Sequence, residues 1–215
     1  MTVNAQPLDV WAAIDRERHA LIDDLAGLDD NQWEAQSLCA EWKVRDVVGH
    51  LVFAANSDWK AFAVGLVKCY GHLDQFISKA ATEIGAAPRA DLQKQFADTV
   101  GSRNLPPFVK SACELADIVC HGDDIRRPLG LHREVPLAAL VAAADFIKDD
   151  RATGTPKRIK HLRLKATDTD WTVGEGRIVE GPLQSLMLAM AGRGDALEDL
   201  SGEGLAQLRT RIDGA

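Results

Sequence analysis

Apolar residues in this chain recur every three or four positions from residue 8 to about residue 149; from Leu162 onward the interval shortens to two. These are the periods of an amphipathic helix and of a half-buried strand, so the switch separates a long helical region from a short mixed one. Helical spacing covers residues 8–27 (Val10, Trp11, Ile14, Leu21, Leu25), 44–66, 71–84, 88–101, 106–126 and 137–149. Pro88 and the pair Pro106 and Pro107 open two of these segments, because a proline in the first helical turn gives up no intrahelical bond; Pro128 and Gly130 end the fifth. The polar stretch KDDRATGTPKR at 148–158 suits a linker. Beyond it, residues 162–166, 171–173 and 177–179 read as short strands, followed by a helix from Pro182 and another over 204–212. The expected organisation is a helical bundle over residues 1–150 and a small α+β unit over 158–215.

With 215 residues, 46 % of them apolar, the chain can bury a full core. Its net charge is −7, and its Lys and Arg residues are dispersed, which argues against a nucleic-acid or anionic-membrane surface and for small-molecule partners. No window approaches the roughly 18 uninterrupted apolar residues of a membrane helix, and MTVNAQPLDV lacks a secretory pattern. A soluble, cytoplasmic protein is expected. Cys39, Cys69, Cys113 and Cys120 form no C-x-x-C pair and read as reduced, packed thiols.

Two stretches carry titratable groups on otherwise apolar helices. In the segment beginning at Val44, the solvated side is marked by Arg45, Gly49, Asn56 and Lys60, which turns His50 inward beside Val47 and Phe53, with Asp46 one turn earlier. The plain reading is a core histidine bonded to Asp46. In CELADIVCHGDDIRR, the residues Glu114, Asp117, His121 and Asp124 follow one another at spacings of three, four and three, forming a single polar stripe. The plain reading there is a thin solvent-facing face.

Asp117 and His121 stand at i and i+4, with β-carbons about 6 Å apart, close enough to chelate one ion. A carboxylate oxygen and two imidazole nitrogens would make a three-ligand site with a position left open for water or substrate. Glu114 is expected to lie behind the site or in solvent, and Asp124 is the chief competitor of Asp117 as a ligand. His19, His72, His132 and His161 occur in polar contexts, with His72 the alternative ligand. The segment GEGRIVEG at 174–181 has the wrong spacing for a nucleotide loop and reads as a hairpin. Cys120 and His121 cannot act as a nucleophile–base pair, since neighbouring helical residues point about 100° apart.

The pairing of SLCAEWKVRDVVGHL with ELADIVCHGDDIRRPLG, and the later LAMAGR, resembles the DinB-like metal-binding bundles. More narrowly it is similar to the mycothiol-dependent maleylpyruvate isomerase group, including the mycothiol S-transferases. The resemblance rests on W-x-V-x-D-x-x-x-H-L, on an acid-x-x-x-His pair followed by D-I-R-R-P-L-G, and runs through nearly the whole chain. It implies a mainly α fold, a four-helix up-down-down-up bundle with a small sterol-carrier-like α+β unit. It also implies a divalent metal, most often zinc with nickel as an alternative, held by His50, Asp117 and His121. Asp46 and Asp124 would orient the ligands from behind, and Arg193 would assist the thiol or substrate. The isomerase carries Glu where this chain has Asp117, a carboxylate one methylene shorter.

On this reading a metal-bound thiol, mycothiol, loses its proton and attacks a small electrophile, giving transfer or cis–trans isomerisation. The rival is a non-catalytic metal- or small-ligand-binding bundle, because no general base stands out beside the triad. A third reading keeps both histidines structural. A monomer or homodimer is expected.

Overall fold

The computed structural model describes residues 8–56, 72–105 and 109–214. The chain divides into two compact units, Met1–Arg133 and Glu134–Ala215. In the first, α1 spans Val10–Ala26 and starts where the Asp9 carboxylate accepts from the Ala12 N–H at 3.1 Å. A single turn, α2 (Asp30–Trp33), is closed by a capping box between Asp29 and Gln32. The chain then loops through an isolated bridge between Gln36 and Lys43 into α3 (Val44–Asn56). Three more helices follow: α4 (Leu73–Gly85), α5 (Arg89–Ala97) and α6 (Ser111–Arg126). The part of the predicted second helix beyond Asn56, and the two prolines expected to open the fifth, lie outside the described residues. Lys110 is extended, so α6 begins at Ser111.

Helix α6 is the centre of this unit. Of the two readings of its polar stripe, a face toward water or an inward chelating face, burial excludes the first for Glu114, His121 and Asp124, the last wholly buried. The stripe is paired inside the unit instead. Arg18 of α1 reaches Glu114 at 2.6 Å and also donates to the Thr99 carbonyl at 2.7 Å. Further along, Arg126 meets Asp24 at 2.6 Å and Arg133 forks onto Glu17 at 3.0 and 3.1 Å. Buried charges persist only when paired and hydrogen-bonded, and these three arginines supply that partner for Glu114 of α6 and for Asp24 and Glu17 of α1.

Helix α3 packs on α4 and α6. Gly49, expected on the solvated side, is buried at the crossing of α3 with α4. A β-carbon there would stand 2.2 Å from the Ala81 carbonyl oxygen and 2.7 Å from the Gly85 nitrogen. Arg45 ties the same crossing, donating to the carbonyls of Gly85 (2.6 Å) and Ala87 (2.9 Å) at the end of α4, where unsatisfied carbonyls favour a cation. His50 follows Gly49 directly, so its backbone is set by this close approach.

In the second unit, α7 (Leu137–Ile147) packs against α9 (Leu183–Met190). The helix at 137–149, grouped on its periodicity with the bundle, therefore falls in the C-terminal compact unit. A short helix α8 (Thr155–Arg158) leads into β1 (Leu162–Ala166), whose Leu162, Leu164 and Ala166 point inward in strict alternation. Strands β2 (Thr172–Gly174) and β3 (Arg177–Gly181) flank it in the order β2-β1-β3. β2 is antiparallel to β1 and β3 is parallel to it. GEGRIVEG is thus not a hairpin: its two strands sit on opposite edges of β1. Gly174 and Gly176, with φ of 77° and 125°, let the chain cross the end of β1, where a β-carbon on Gly176 would lie 2.2 Å from the His161 carbonyl oxygen. A last helix, α10 (Leu205–Asp213), follows a 3₁₀ segment at Gly194–Asp199.

Candidate metal centre

Helix α3 brings His50 to the two residues that α6 presents at i and i+4. His50 Nε2 lies 3.3 Å from Asp117 Oδ2 and 3.4 Å from Oδ1, and His121 Nε2 lies 3.4 Å from Oδ1. The three donor atoms all fall within 4.8 Å of one another. Both imidazoles are buried, whereas the Asp117 side chain is 26 % exposed, so the cluster has one accessible edge. Four ligands at about 2.0–2.1 Å around a tetrahedral ion stand about 3.3–3.4 Å apart. The spacings at the carboxylate match that edge length, and two imidazole nitrogens with one anionic carboxylate oxygen and one open position suit zinc or a similar divalent ion.

The electrostatics agree with a site built for positive charge. Burial opposes ionisation of Asp117, but the charges of His50 and His121 override it and hold the carboxyl far below the usual carboxylate range. Burial likewise opposes protonation of His121, yet Asp117, Asp124 and Cys39 together raise it well above the ordinary imidazole value. In the metal-free chain a proton on His121 therefore balances the buried carboxylates.

Asp124 stands directly behind His121, its Oδ2 2.8 Å from Nδ1. A carboxylate there makes Nδ1 the protonated nitrogen of the neutral ring and leaves the Nε2 lone pair facing Asp117. The same oxygen accepts the Cys39 thiol at 3.1 Å, and the Asp124 carbonyl accepts the Leu38 N–H at 3.0 Å. Cys39 Sγ is 3.8 Å from His121 Nδ1, so Cys39, His121 and Asp124 form a second cluster on the far side of the shared imidazole.

Asp46 does not orient His50. Its carboxylate accepts the Lys43 N–H at 3.0 Å, at the start of α3, and His50 Nδ1 is buried with no hydrogen-bond partner among the described residues. Glu114 is neither solvated nor a ligand: it is paired with Arg18, and burial, reinforced by the Asp117 charge, pushes its carboxyl up to about 7 against the pull of Arg18. His19, His72, His132 and His161 are exposed and join no ligand cluster among the described residues. Arg193 lies in the second unit, where its guanidinium donates to the Ala191 carbonyl at 2.9 Å.

Two residues of this site carry no signal in helical periodicity because they sit on the loop before α3. One is Cys39. The other is Trp42, whose indole stacks on His50 with ring centroids 5.0 Å apart and planes inclined by 30°, and lies 5.8 Å from the ring of His121. The motif W-x-V-x-D-x-x-x-H held that clue in its first letter.

The elements and the site together define a mainly helical protein with a small three-stranded sheet, in the DinB-like maleylpyruvate isomerase fold. Residues 14–103 match the family model of the mycothiol maleylpyruvate isomerase N-terminal domain, a span that includes His50 and ends before Asp117 and His121. Two crystal structures of the mycothiol-dependent maleylpyruvate isomerase are similar in fold. One, a histidine-to-alanine mutant, has a TM-score of 0.64 at 12 % identity; the other has a TM-score of 0.62 at 14 % identity. Each similarity covers 94 % of this chain and 96 % of that chain. No curated protein matches the sequence. None of the described helices is long and apolar enough to cross a membrane.

Proposed function

We propose that the protein is a mycothiol-dependent isomerase or S-transferase that holds a divalent ion, zinc or nickel, on His50, Asp117 and His121 and acts on a small electrophile. The observation that carries this reading is the convergence of two imidazole Nε2 atoms on one partly accessible carboxylate, at separations of 3.3–3.4 Å. The family match over residues 14–103 supports mycothiol as the thiol, and maleylpyruvate is the first substrate to try.

Such an ion, when bound, supplies a Lewis acid beside which a coordinated thiol is deprotonated near neutral pH. The chain's own residues supply the setting. Asp124 keeps the His121 lone pair available, Trp42 and the apolar side of α3 keep water from the two imidazoles, and the exposed edge of Asp117 leaves an approach for thiol and electrophile. The thiolate adds to an electrophilic carbon. The electron pair of the attacked double bond moves onto the conjugated carbonyl as an enolate. A proton taken up at carbon keeps the C–S bond as the product of transfer, whereas rotation about the new single bond and return of the pair expels the thiolate and leaves the double bond trans. The reaction requires a reduced thiol, which fits a cytoplasmic location, and Arg193 is proposed to assist thiol or substrate.

Metal analysis of purified wild type and His50→Ala tests the centre: wild type holding about one equivalent and the variant little supports it, and equally low content in both overturns it. With metal established, thiol-conjugation and maleylpyruvate isomerisation assays follow. Turnover dependent on mycothiol supports an enzyme; metal without turnover of any electrophile identifies a binding protein.

A further inference from the structure

The two imidazoles that face Asp117 are held in different ways. His121 is oriented from behind by the Asp124 carboxylate at 2.8 Å. His50 has no such support, for its Nδ1 is buried without a hydrogen bond among the described residues and Asp46 is committed to the Lys43 N–H. The last torsion of a histidine side chain is broad and roughly two-fold, so an imidazole unanchored at Nδ1 can turn a carbon instead of Nε2 toward its neighbour. Ligating histidines ordinarily avoid this by donating the second ring N–H to a carboxylate, carbonyl or water.

The contact that fixes the His50 ring is aromatic. One face meets the Trp42 indole at 5.0 Å and 30°, and the His121 ring stands edge-on at 4.6 Å and 66°. Trp42 is itself fixed. Its carbonyl accepts from the Ser37 N–H (3.1 Å), the Ser37 hydroxyl (2.7 Å) and the Gln36 amide (2.8 Å), and its indole N–H donates to Ser78 of α4 at 3.2 Å. The loop thus delivers a rigid flat surface, pinned to α4, onto an imidazole whose hydrogen bonding is confined to Nε2, at the Asp117 carboxylate, and whose Nδ1 is held by nothing among the described residues.

We propose that Trp42 is the positioning residue of His50, doing by stacking what Asp124 does for His121 by hydrogen bonding. The identity of the ion rests on the function proposed above; the ring clamp belongs to the metal-free chain. A consequence is that the two imidazoles are unequal donors. Hydrogen bonding to a carboxylate makes His121 the more basic, while His50 is the weaker and the more easily lost.

The test compares wild type, Trp42→Phe and Trp42→Leu, each first shown to be folded by circular dichroism. In the metal-free proteins, NMR of the assigned imidazoles should show the His50 ring protons displaced upfield in wild type, partly so in Trp42→Phe, and released with line broadening in Trp42→Leu. The His121 Nδ1–H resonance, kept by Asp124, should persist in all three. Cobalt(II) affinity, measured by competition with a chromophoric chelator, should fall about tenfold or more in Trp42→Leu and less than about threefold in Trp42→Phe, with a changed d–d absorption band in the former. A folded Trp42→Leu protein with unchanged His50 resonances and wild-type cobalt affinity overturns the proposal, as does equal disturbance of both imidazoles. If wild type takes up no cobalt, the proposed metal function falls, and the ring resonances still decide the clamp.

Discussion

His121 Nδ1 lies 2.8 Å from Asp124 Oδ2 while Nε2 of the same ring lies 3.4 Å from Asp117 Oδ1, so one imidazole is suspended between two carboxylates of its own helix. The carboxylate behind it selects the tautomer, and the one in front is the ligand that would share the proposed ion with it. Asp124→Asn removes the charge and offers an N–H where an acceptor stood. We expect metal affinity to fall about 10–100-fold with the fold intact, measured by chelator competition; affinity equal to wild type would show that Asp124 has no part in the centre.

Metal uptake should release protons. Asp117 is already ionised, whereas His121 is protonated above the usual imidazole range in the metal-free chain, and that proton has to leave before Nε2 can ligate. Affinity is therefore expected to fall as the pH is lowered, by about tenfold per pH unit for each proton displaced. Calorimetry in buffers of different ionisation enthalpy counts the protons, and a pH-independent affinity would contradict the assignment.

Glu114 gives a separate pH signature. Burial raises its carboxyl from 4.5 to about 7 in the folded chain, so the folded state holds the proton more tightly than the unfolded one. Stability is then fully present below about 4.5, declines as the pH rises through that window, and levels off above about 7. The full decline attributable to this group is on the order of 3 kcal/mol. Denaturant unfolding of Glu114→Gln should lack that slope, and an unchanged profile would assign the pH dependence elsewhere.

Gly49→Ala should be costly out of proportion to one methyl group. Its β-carbon would stand 2.2 Å from the Ala81 carbonyl, a backbone atom that cannot step aside, so α3 and α4 must separate. We expect a loss of about 1–3 kcal/mol in denaturant unfolding, with weaker metal binding because His50 is the next residue. A variant as stable as wild type would mean that the helices do not cross this closely.

What the chain discloses in its sequence follows from where each residue lies. Asp117, His121 and Asp124 share one helix, so spacing alone places them on one face, and the inward turn of His50 follows from its apolar neighbours. Periodicity, however, describes a helix relative to itself. It cannot tell a solvent-facing polar stripe from one answered by Arg18, nor can it show that Gly49 is a crossing point. Asp46 illustrates a second limit: standing one turn from His50 suggested a partner, but an acid in the first turn of a helix is drawn to the free N–H groups there, and Lys43 takes it. Cys39 and Trp42 reach the site through a loop, where no repeat signals direction. In the C-terminal unit, alternation identified the strands, but the order β2-β1-β3 depends on how two glycines turn the chain over β1.

Asp124 holds the His121 ring with its side chain and the preceding loop with its main chain, through the 3.0 Å bond from the Leu38 N–H. Whatever grips His121 must therefore also resist lifting of the loop, although it touches neither Leu38 nor the bond. By linkage, an ion that binds only the closed form would make that opening harder, by RT ln(1 + c/Kd) at free-ion concentration c. The exchange of a single main-chain hydrogen with solvent thus becomes a gauge of occupancy, readable before any substrate is known.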